Sequence, residues 1–489
     1  MEIGYPSYLC GVRSKKKNVI LEDILIEDYA AEGRSLSRVD GKVVFIENAV
    51  PGDVADIQLT KNKKDWAEGK AVKIKSYSAD RVAPFCEHFG VCGGCQWQML
   101  PYERQLFYKQ KQVSDNLERI AKVPLPPLMP IAGCSVTRGY RNKMEYTFAT
   151  KRYVPDEEFR EWRRQQALGN DYDVNKGGAG GFHVKGMFDK VVEINTCHLQ
   201  EEPTNKIRNT ITDYAREKGL PFYDIKQHTG WIRTMQVRMA TTGELMVNLV
   251  LGYEDADERK ALLDHLLAKF PEITTLLYTI NTKRNDSLFD LYPEVYHGKG
   301  YIVEQLEDFR FKIGPKSFFQ TNSRQAEKLY QVTREFAELD GSQVVYDLYC
   351  GTGSIGIFVS KAAKKIVGVE VVAEAIEDAK ENAEMNGLSH ASFFAGDVID
   401  ICDDAFFAAH GRPDVVITDP PRAGMHEKLV NKLLEIAAPT VVYVSCNPAT
   451  QARDLQLLGE KYTVEKIQPV DMFPHTLHIE NVVQLKLKP

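Results

Sequence analysis

The stretch Val444 to Pro448, Val-Ser-Cys-Asn-Pro, sets Cys446 at the end of an apolar run with the turn-forming pair Asn447-Pro448 behind it. A cysteine there can fill a buried strand end as a small hydrophobe. On a turn above a sheet edge its thiolate is instead a nucleophile. Two carboxylates stand at comparable places. Asp419 closes the apolar run Val415 to Thr418 and is followed by two prolines, and Glu480 lies in Phe-Pro-His-Thr-Leu-His-Ile-Glu, just before a closing apolar run. Glu480 also reads as a surface acid ahead of a last strand. A second constellation is Gly351, Gly353 and Gly356 between the apolar runs Val344 to Leu348 and Ile366 to Val369, the latter ending at Glu370. A third is Cys86, Cys92 and Cys95, spaced C-x5-C-x2-C, with Cys197 as the candidate for a remote fourth ligand.

The elements that position these groups follow from composition and pattern. At 489 residues the chain exceeds one compact core, and 43% hydrophobic with 27% charged residues describes an ordinary globular protein. There is no signal-type apolar segment at the start and no run of about 18 apolar residues, so a cytoplasmic protein with no membrane association is expected, and a monomer. The net charge of −6 gives no global pull on nucleic acid. Basic stretches at Arg13 to Lys17, Lys61 to Lys64 and Arg138 to Lys143 read equally as solvated faces and as phosphate contacts. Nine cysteines, an odd number, argue against a disulfide framework.

From Asn18 to about Lys75, short strands with turns at Asp40-Gly41 and Pro51 to Asp53 predict a small barrel of a kind that often binds oligonucleotides. The cysteine loop follows, then a helix over Tyr102 to Ile120, then a mixed α+β region. The charged, glycine-rich passage Lys151 to Gly181 reads as a mobile insertion. Beyond about Lys316, regular strand and helix alternation predicts a doubly wound α/β sheet. The expected domains are residues 1–80, 81–315 (its helix near 102–120 placed against the last domain) and 316–489.

The glycine loop matches G-x-G-x-x-G, so a dinucleotide site is the first reading. Three features point elsewhere. Asp347 precedes the glycines, where a carboxylate suits a cation better than a phosphate; Gly396-Asp397 follows the next strand, placed for an adenine amino group; and Asp419-Pro420-Pro421 makes a rigid wall beside a flat substrate. Together they resemble the Rossmann-like S-adenosylmethionine-dependent methyltransferases. A competing subclass, the amino-methyltransferases, has an aromatic residue after the two prolines, where this chain has Arg422; arginine suits phosphate or stacking better than an amine pocket.

Methyl transfer to uracil C5 needs a thiolate at C6, a base to remove the C5 proton and a polar group on the pyrimidine edge. Phe318 to Asn322 (FFQTN), DLYCGTG, DPPRAG, SCNPAT and DMFPHTLHIE, in this order, resemble the RNA uracil-5-methyltransferase family. The resemblance implies Cys446 as nucleophile, Glu480 as base and Asp419 as a contact to both uracil and methyl donor. It also implies that Gln320, Tyr349, Gly351, Ser354, Glu370 and Asp397 line the S-adenosyl-L-methionine pocket. Ser354 departs from the asparagine frequent in the family.

Three thiolates in one loop with Cys197 suit a metal site, and spacing alone leaves zinc open. A branch of the family carries such a motif with a [4Fe-4S] cluster behind a TRAM-type RNA-binding barrel, which implies Cys86, Cys92, Cys95 and Cys197 as cluster ligands and Cys10, Cys134, Cys350 and Cys402 as non-ligands. That branch resembles bacterial enzymes acting on 23S rRNA, so ribosomal RNA is the expected substrate. The alternatives are a transfer-RNA enzyme, an amino-methyltransferase, an inactive RNA-binding factor and a redox enzyme.

Overall fold

The computed structural model describes residues 19–30 and 33–489. The basic stretch Arg13 to Lys17 and Cys10 lie outside the described residues. The chain divides into two compact units. One comprises residues up to Val82 with Met99–Pro101, the other Ala83–Gln98 with Tyr102–Pro489.

The first unit is a six-stranded, barrel-like sheet in the order Ile20–Leu25, Val54–Asn62, Trp66–Ser76, Lys42–Glu47, Ser35–Val39, Asp28–Tyr29. Its small core gathers Ile26, Val44, Ile46, Ala55 and Ile57. The buried Asp53 carboxylate fastens the end of the unit, taking Arg81 Nη2 at 2.8 Å together with the backbone N–H groups of Val50 and Ser78. Ser35–Val39 is a strand that the sequence reading leaves out, because its alternation of serine with apolar residues lacks a hydrophobic run. The turn at Asp40-Gly41 has both residues at positive φ, the mirror-image hairpin turn expected of this pair. In the Lys61 to Lys64 stretch, Lys61 pairs with Glu68 at 2.8 Å.

The second unit holds two seven-stranded sheets. The mixed central sheet runs Glu294–His297, Thr275–Ile280, Leu245–Leu251, Ile232–Met239, Lys143–Ala149, Ala179–Val184, Met187–Glu193, covered by the helices Thr204–Lys218 and Ala256–Lys269. The Lys151 to Gly181 passage is not an irregular insertion. It carries the helix Asp156–Ala167, anchored where the Arg152 guanidinium grips Glu158 and the Val174 carbonyl.

The C-terminal sheet has the order Ala391–Ala395, Lys365–Glu370, Val344–Leu348, Val415–Thr418, Thr440–Ser445, Glu480–Leu487, Tyr462–Val470, the first five parallel and Glu480–Leu487 antiparallel to its neighbours. Its inner strands are buried on both faces, so they read as continuous apolar runs. The side chains still alternate. Val345, Val415, Val442 and Val444 enter one core, and Tyr346, Val416, Val441 and Tyr443 the other. Each buried valine contributes about 1.5–3 kcal/mol by leaving water. The second core is closed by Val113, Leu117 and Ala121 from the helix Tyr102–Asn116 and the wider π turn that continues it. Among the described residues no helix is long and apolar enough to cross a membrane.

Candidate active site

In an open α/β sheet, ligands bind at the carboxyl ends of the strands where the strand order reverses, here between Val344–Leu348 and Val415–Thr418. Thr440–Ser445 ends one residue before Cys446. Asn447 then caps the helix Pro448–Leu458 by accepting Ala449 N–H at 3.1 Å, with Pro448 at the first helical position. The half-buried thiol is thus held between a strand end and a helix start. Antiparallel pairing of Ser445 with Asn481 brings Glu480, first residue of the last strand, beside Cys446. On the other side Thr418 pairs with Tyr443, and Asp419 follows it.

These groups perturb one another. Burial pushes the Cys446 thiol up to about 11, the charges of Glu480 and Asp419 push the same way, and Arg422 pulls it down by charge and hydrogen bonding. Burial, then Asp419, hold Glu480 well above the usual carboxylate range, with Arg422 opposing. Burial raises Asp419 to about 7. Cys446 is therefore a thiol near neutral pH, and Glu480 holds its proton more tightly than an ordinary carboxylate. Arg422 is the one cation these shifts name. Its Nη2 donates to His478 Nδ1 at 2.5 Å, so that nitrogen must be the bare acceptor, and burial followed by Arg422 pushes His478 down to about 4. The Arg422 carbonyl accepts from Asn447 Nδ2 at 3.0 Å, fastening the Pro-Pro-Arg turn to the Cys446 turn.

The glycine loop forms the adjoining half. Tyr349 (φ +60°), Gly351 (+51°) and Gly353 (+76°) all lie in the left-handed region, which for a tyrosine is a strained conformation. Asp347, buried beneath, accepts Gly356 N–H at 2.8 Å through Oδ2, while its Oδ1 has no partner. A Cβ on Gly356 would come 2.9 Å from Asp347 Oδ2, so this glycine is required for close approach. Burial raises Asp347 to about 7. Glu370 accepts Gly351 N–H at 3.3 Å and Val372 N–H at 3.0 Å. Tyr349 is raised by burial and then by Asp397 and Glu370, so these three side chains share one locale. Asp397 is exposed and caps a short helix through Ile399 N–H. Ser354 Oγ lies 2.9 Å from Tyr330 Oη, and Tyr330 in turn feels Asp419, Asp347 and Glu480. Gln320 is buried, its carbonyl accepting Asn142 Nδ2 at 2.8 Å.

The loop Asp471 to Ile479, which delivers Glu480, is bolted down by buried polar groups. Lys109 Nζ meets Asp471 Oδ1 at 2.6 Å with both side chains fully buried, and Tyr102 Oη donates to Asp471 Oδ2 at 2.7 Å. Gln105 Oε1 accepts His475 N–H at 2.8 Å, and the N–H groups of Gln96 and Trp97 both reach the His475 carbonyl, at 2.9 and 3.0 Å. Gln96 directly follows Cys95, so the cysteine loop, remote in sequence, abuts the loop that carries Glu480.

Cys86, Cys92, Cys95 and Cys197 line one cavity of about 330 Å³, whose wall also includes Thr321, next to Gln320. All four are free thiols. Burial pushes Cys92 up to about 11 and Cys95 up to about 12, each also raised by neighbouring thiols of the set. Among the described residues no group of three or more His, Cys, Asp or Glu side chains converges closely enough to hold a metal ion. Cys134 donates from Sγ to the Asp471 carbonyl at 3.0 Å, and Cys350 and Cys402 are buried in the two cores.

Residues 408–488 match the family described as tRNA (Uracil-5-)-methyltransferase, 332–442 the methyltransferase small domain and 19–72 the TRAM domain. A protein of Bacteroides thetaiotaomicron, described as an uncharacterized RNA methyltransferase, is 50% identical over 94% of this chain and 100% of its own length. One of Porphyromonas gingivalis with the same description is 49% identical over 94% of this chain and 98% of its own. The chain belongs to the RNA uracil-5-methyltransferase family. It is an S-adenosylmethionine-dependent RNA methyltransferase carrying a TRAM domain. Among solved structures, the Pyrococcus abyssi tRNA (uracil-54, C5)-methyltransferase in complex with S-adenosyl-L-homocysteine superposes with a TM-score of 0.71 at 27% identity, covering 95% of this chain and 100% of that one.

In this methyltransferase Tyr330 and the Lys109–Asp471 pair were not visible from the sequence, and Arg422 stood out there without a place beside Cys446 and Glu480. Arg422 had a signal, since it stands where other methyltransferases with two prolines place an aromatic. Tyr330 lies inside the ordinary amphipathic helix Ser323–Ala337 and had none.

Proposed function

We propose that the protein forms 5-methyluridine in RNA through a covalent bond between Cys446 Sγ and uracil C6. The observation that carries this reading is the strand register that sets Cys446 beside Glu480, with Asp419 one strand away. The target uridine leaves its stack to enter the site. The Cys446 thiol passes its proton to a neighbouring carboxylate, for which Asp419, raised by burial to about 7, is the better matched acceptor. Sulfur bonds to C6, and the displaced electrons move onto the O4 enolate, a charge that Arg422 can stabilise. The electron pair at C5 takes the methyl group, which S-adenosylmethionine supplies as an electrophile; the methyl–sulfur bond breaks and its electrons remain on the departing S-adenosylhomocysteine. Glu480 removes the C5 proton; the electron pair restores the C5–C6 double bond, and the C6–S bond breaks to release Cys446. For that step Glu480 must be ionised, a state that Arg422 and the donor's sulfonium charge both favour.

In this reading Gln320, Tyr349, Gly351, Ser354, Glu370, Asp397 and Asp419 hold the methyl donor. Four thiols around one cavity are the soft donor set of a [4Fe-4S] cluster, with zinc the alternative, and they would have to draw together around either group. Cys86, Cys92, Cys95 and Cys197 would hold the group, which supplies no electron to the reaction and braces the chain between the cysteine loop and His475. The pairing of a TRAM barrel with this cavity supports 23S rRNA as substrate. The second reading, transfer RNA, is favoured by the likeness to the Pyrococcus abyssi enzyme. Nucleoside mass spectrometry of ribosomal and transfer RNA fractions incubated with the protein tests both. The expected result is 5-methyluridine in ribosomal RNA, lost with Cys446→Ala; methylation at an undiminished rate by Cys446→Ala refutes the adduct.

A further inference from the structure

The three most exposed large hydrophobic side chains among the described residues are Tyr292 (82%), Phe289 (72%) and Phe318 (70%), and the first two share one lysine. Lys316 Nζ donates to the carbonyls of Phe289 (2.6 Å) and Leu291 (3.3 Å). It lies 5.7 Å from the Phe289 ring centroid and 5.1 Å from that of Tyr292. Phe318 follows two residues later, on the segment that leads to Gln320. Single exposed hydrophobes are ordinary, whereas two aromatic rings kept in water around one lysine, four residues ahead of Gln320, mark a binding surface.

The loop that presents these rings is held rigid. The buried Arg233 guanidinium donates to the carbonyls of Asn281, Lys283 and Asn285 and to Asp286 Oδ1, at 2.6 to 3.0 Å. A preorganised loop loses little entropy on binding. Its charges are also sorted. Asp286 pairs with Arg233 and Asp290 with Lys283, which leaves Arg284 exposed with no ion pair among the described residues; Lys316 donates to the two carbonyls and also lies in the field of Asp290. The surface therefore offers flat π faces with surplus positive charge, the combination that binds unpaired nucleotides by stacking and phosphate attraction. An aliphatic protein partner would gain less from rings on a loop that carries the unpaired Arg284.

We propose that Phe289 and Tyr292, with Arg284, form a stacking platform for unpaired RNA bases flanking the target uridine. This rests on the RNA methyltransferase reading and adds a second RNA contact outside the pocket of Cys446 and Glu480. The test is fluorescence anisotropy of the full chain with a labelled, uridine-rich single-stranded RNA and a blunt RNA duplex. The double variant Phe289→Ala/Tyr292→Ala should bind the single strand about tenfold or more weakly, with duplex binding little changed and calorimetric affinity for S-adenosylmethionine unchanged. Phe289→Tyr/Tyr292→Phe, which keeps both rings, should bind like wild type. Arg284→Ala should reduce the salt slope of single-strand binding by about 0.7. Wild-type affinity in the double alanine variant overturns the proposal, as does equal weakening in the ring-preserving variant, or unchanged RNA binding with loss of a copurifying protein. If wild type forms no 5-methyluridine yet the alanine variant still loses the strand, the function reading falls and the platform stands.

Discussion

Replacing Lys109 by methionine tests whether the loop bearing Glu480 is positioned by its buried ion pair. Lys109 and Asp471 are fully buried and 2.6 Å apart. Removing one partner of such a pair strands the other charge and costs about 3–5 kcal/mol. Asp471 would keep Tyr102 Oη at 2.7 Å and Phe473 N–H at 3.1 Å, which favours the low end, about 3 kcal/mol. The Phe473 carbonyl, 3.0 Å from Lys109 Nζ, would lose one donor and keep Thr476 Oγ1 at 2.8 Å, so it adds little to the loss. Urea unfolding of Lys109→Met should show a loss of this order. Because the strain falls on the loop ahead of Glu480, the elimination step should slow more than methyl transfer. Rapid quenching into denaturant should then reveal a larger share of protein linked to methylated RNA than in wild type. Wild-type stability would refute the energetic argument. Lost stability with an unchanged linked fraction would refute the positioning role and leave the pair purely structural.

Two other outcomes follow from the site. Asp347 is raised from 3.8 to about 7, so its neutral form favours the fold. That stability is present below pH about 4 and lost as pH rises to about 7, up to about 4 kcal/mol; Asp347→Asn should flatten this part of the pH–stability curve, and an unchanged slope contradicts it. The anaerobically purified protein should be brown, with iron and sulfide that Cys197→Ala removes and Cys134→Ala leaves unchanged; one tightly bound zinc in a colourless protein rejects the cluster.

Much of the site was legible because its residues sit where strands end. The Asp-Pro-Pro and Ser-Cys-Asn-Pro turns each close an apolar strand, and a parallel sheet brings such ends to one edge whatever the sequence distance. The spacing of Cys86, Cys92 and Cys95 identified thiols that share a cavity with Cys197 and left the metal open. The pair Lys109–Asp471 had no signal, since its partners are 362 residues apart and each alone reads as a surface charge. The helix Asp156–Ala167 was hidden by flanking glycines and by having no buried face from which to read a period. Arg422 was visible as an oddity, but its link to His478, Cys446 and Glu480 depends on tertiary placement.

The central claim is that Cys446 bonds to uracil C6 and Glu480 ends that bond. Its most direct test is Glu480→Gln incubated with RNA and S-adenosylmethionine, resolved by denaturing electrophoresis and followed by peptide mass mapping. The amide keeps the shape of the side chain and cannot remove the C5 proton, so a stable protein–RNA species should accumulate, with a methylated uridine attached at Cys446. Full turnover by Glu480→Gln, or a link mapped to any other residue, contradicts the account.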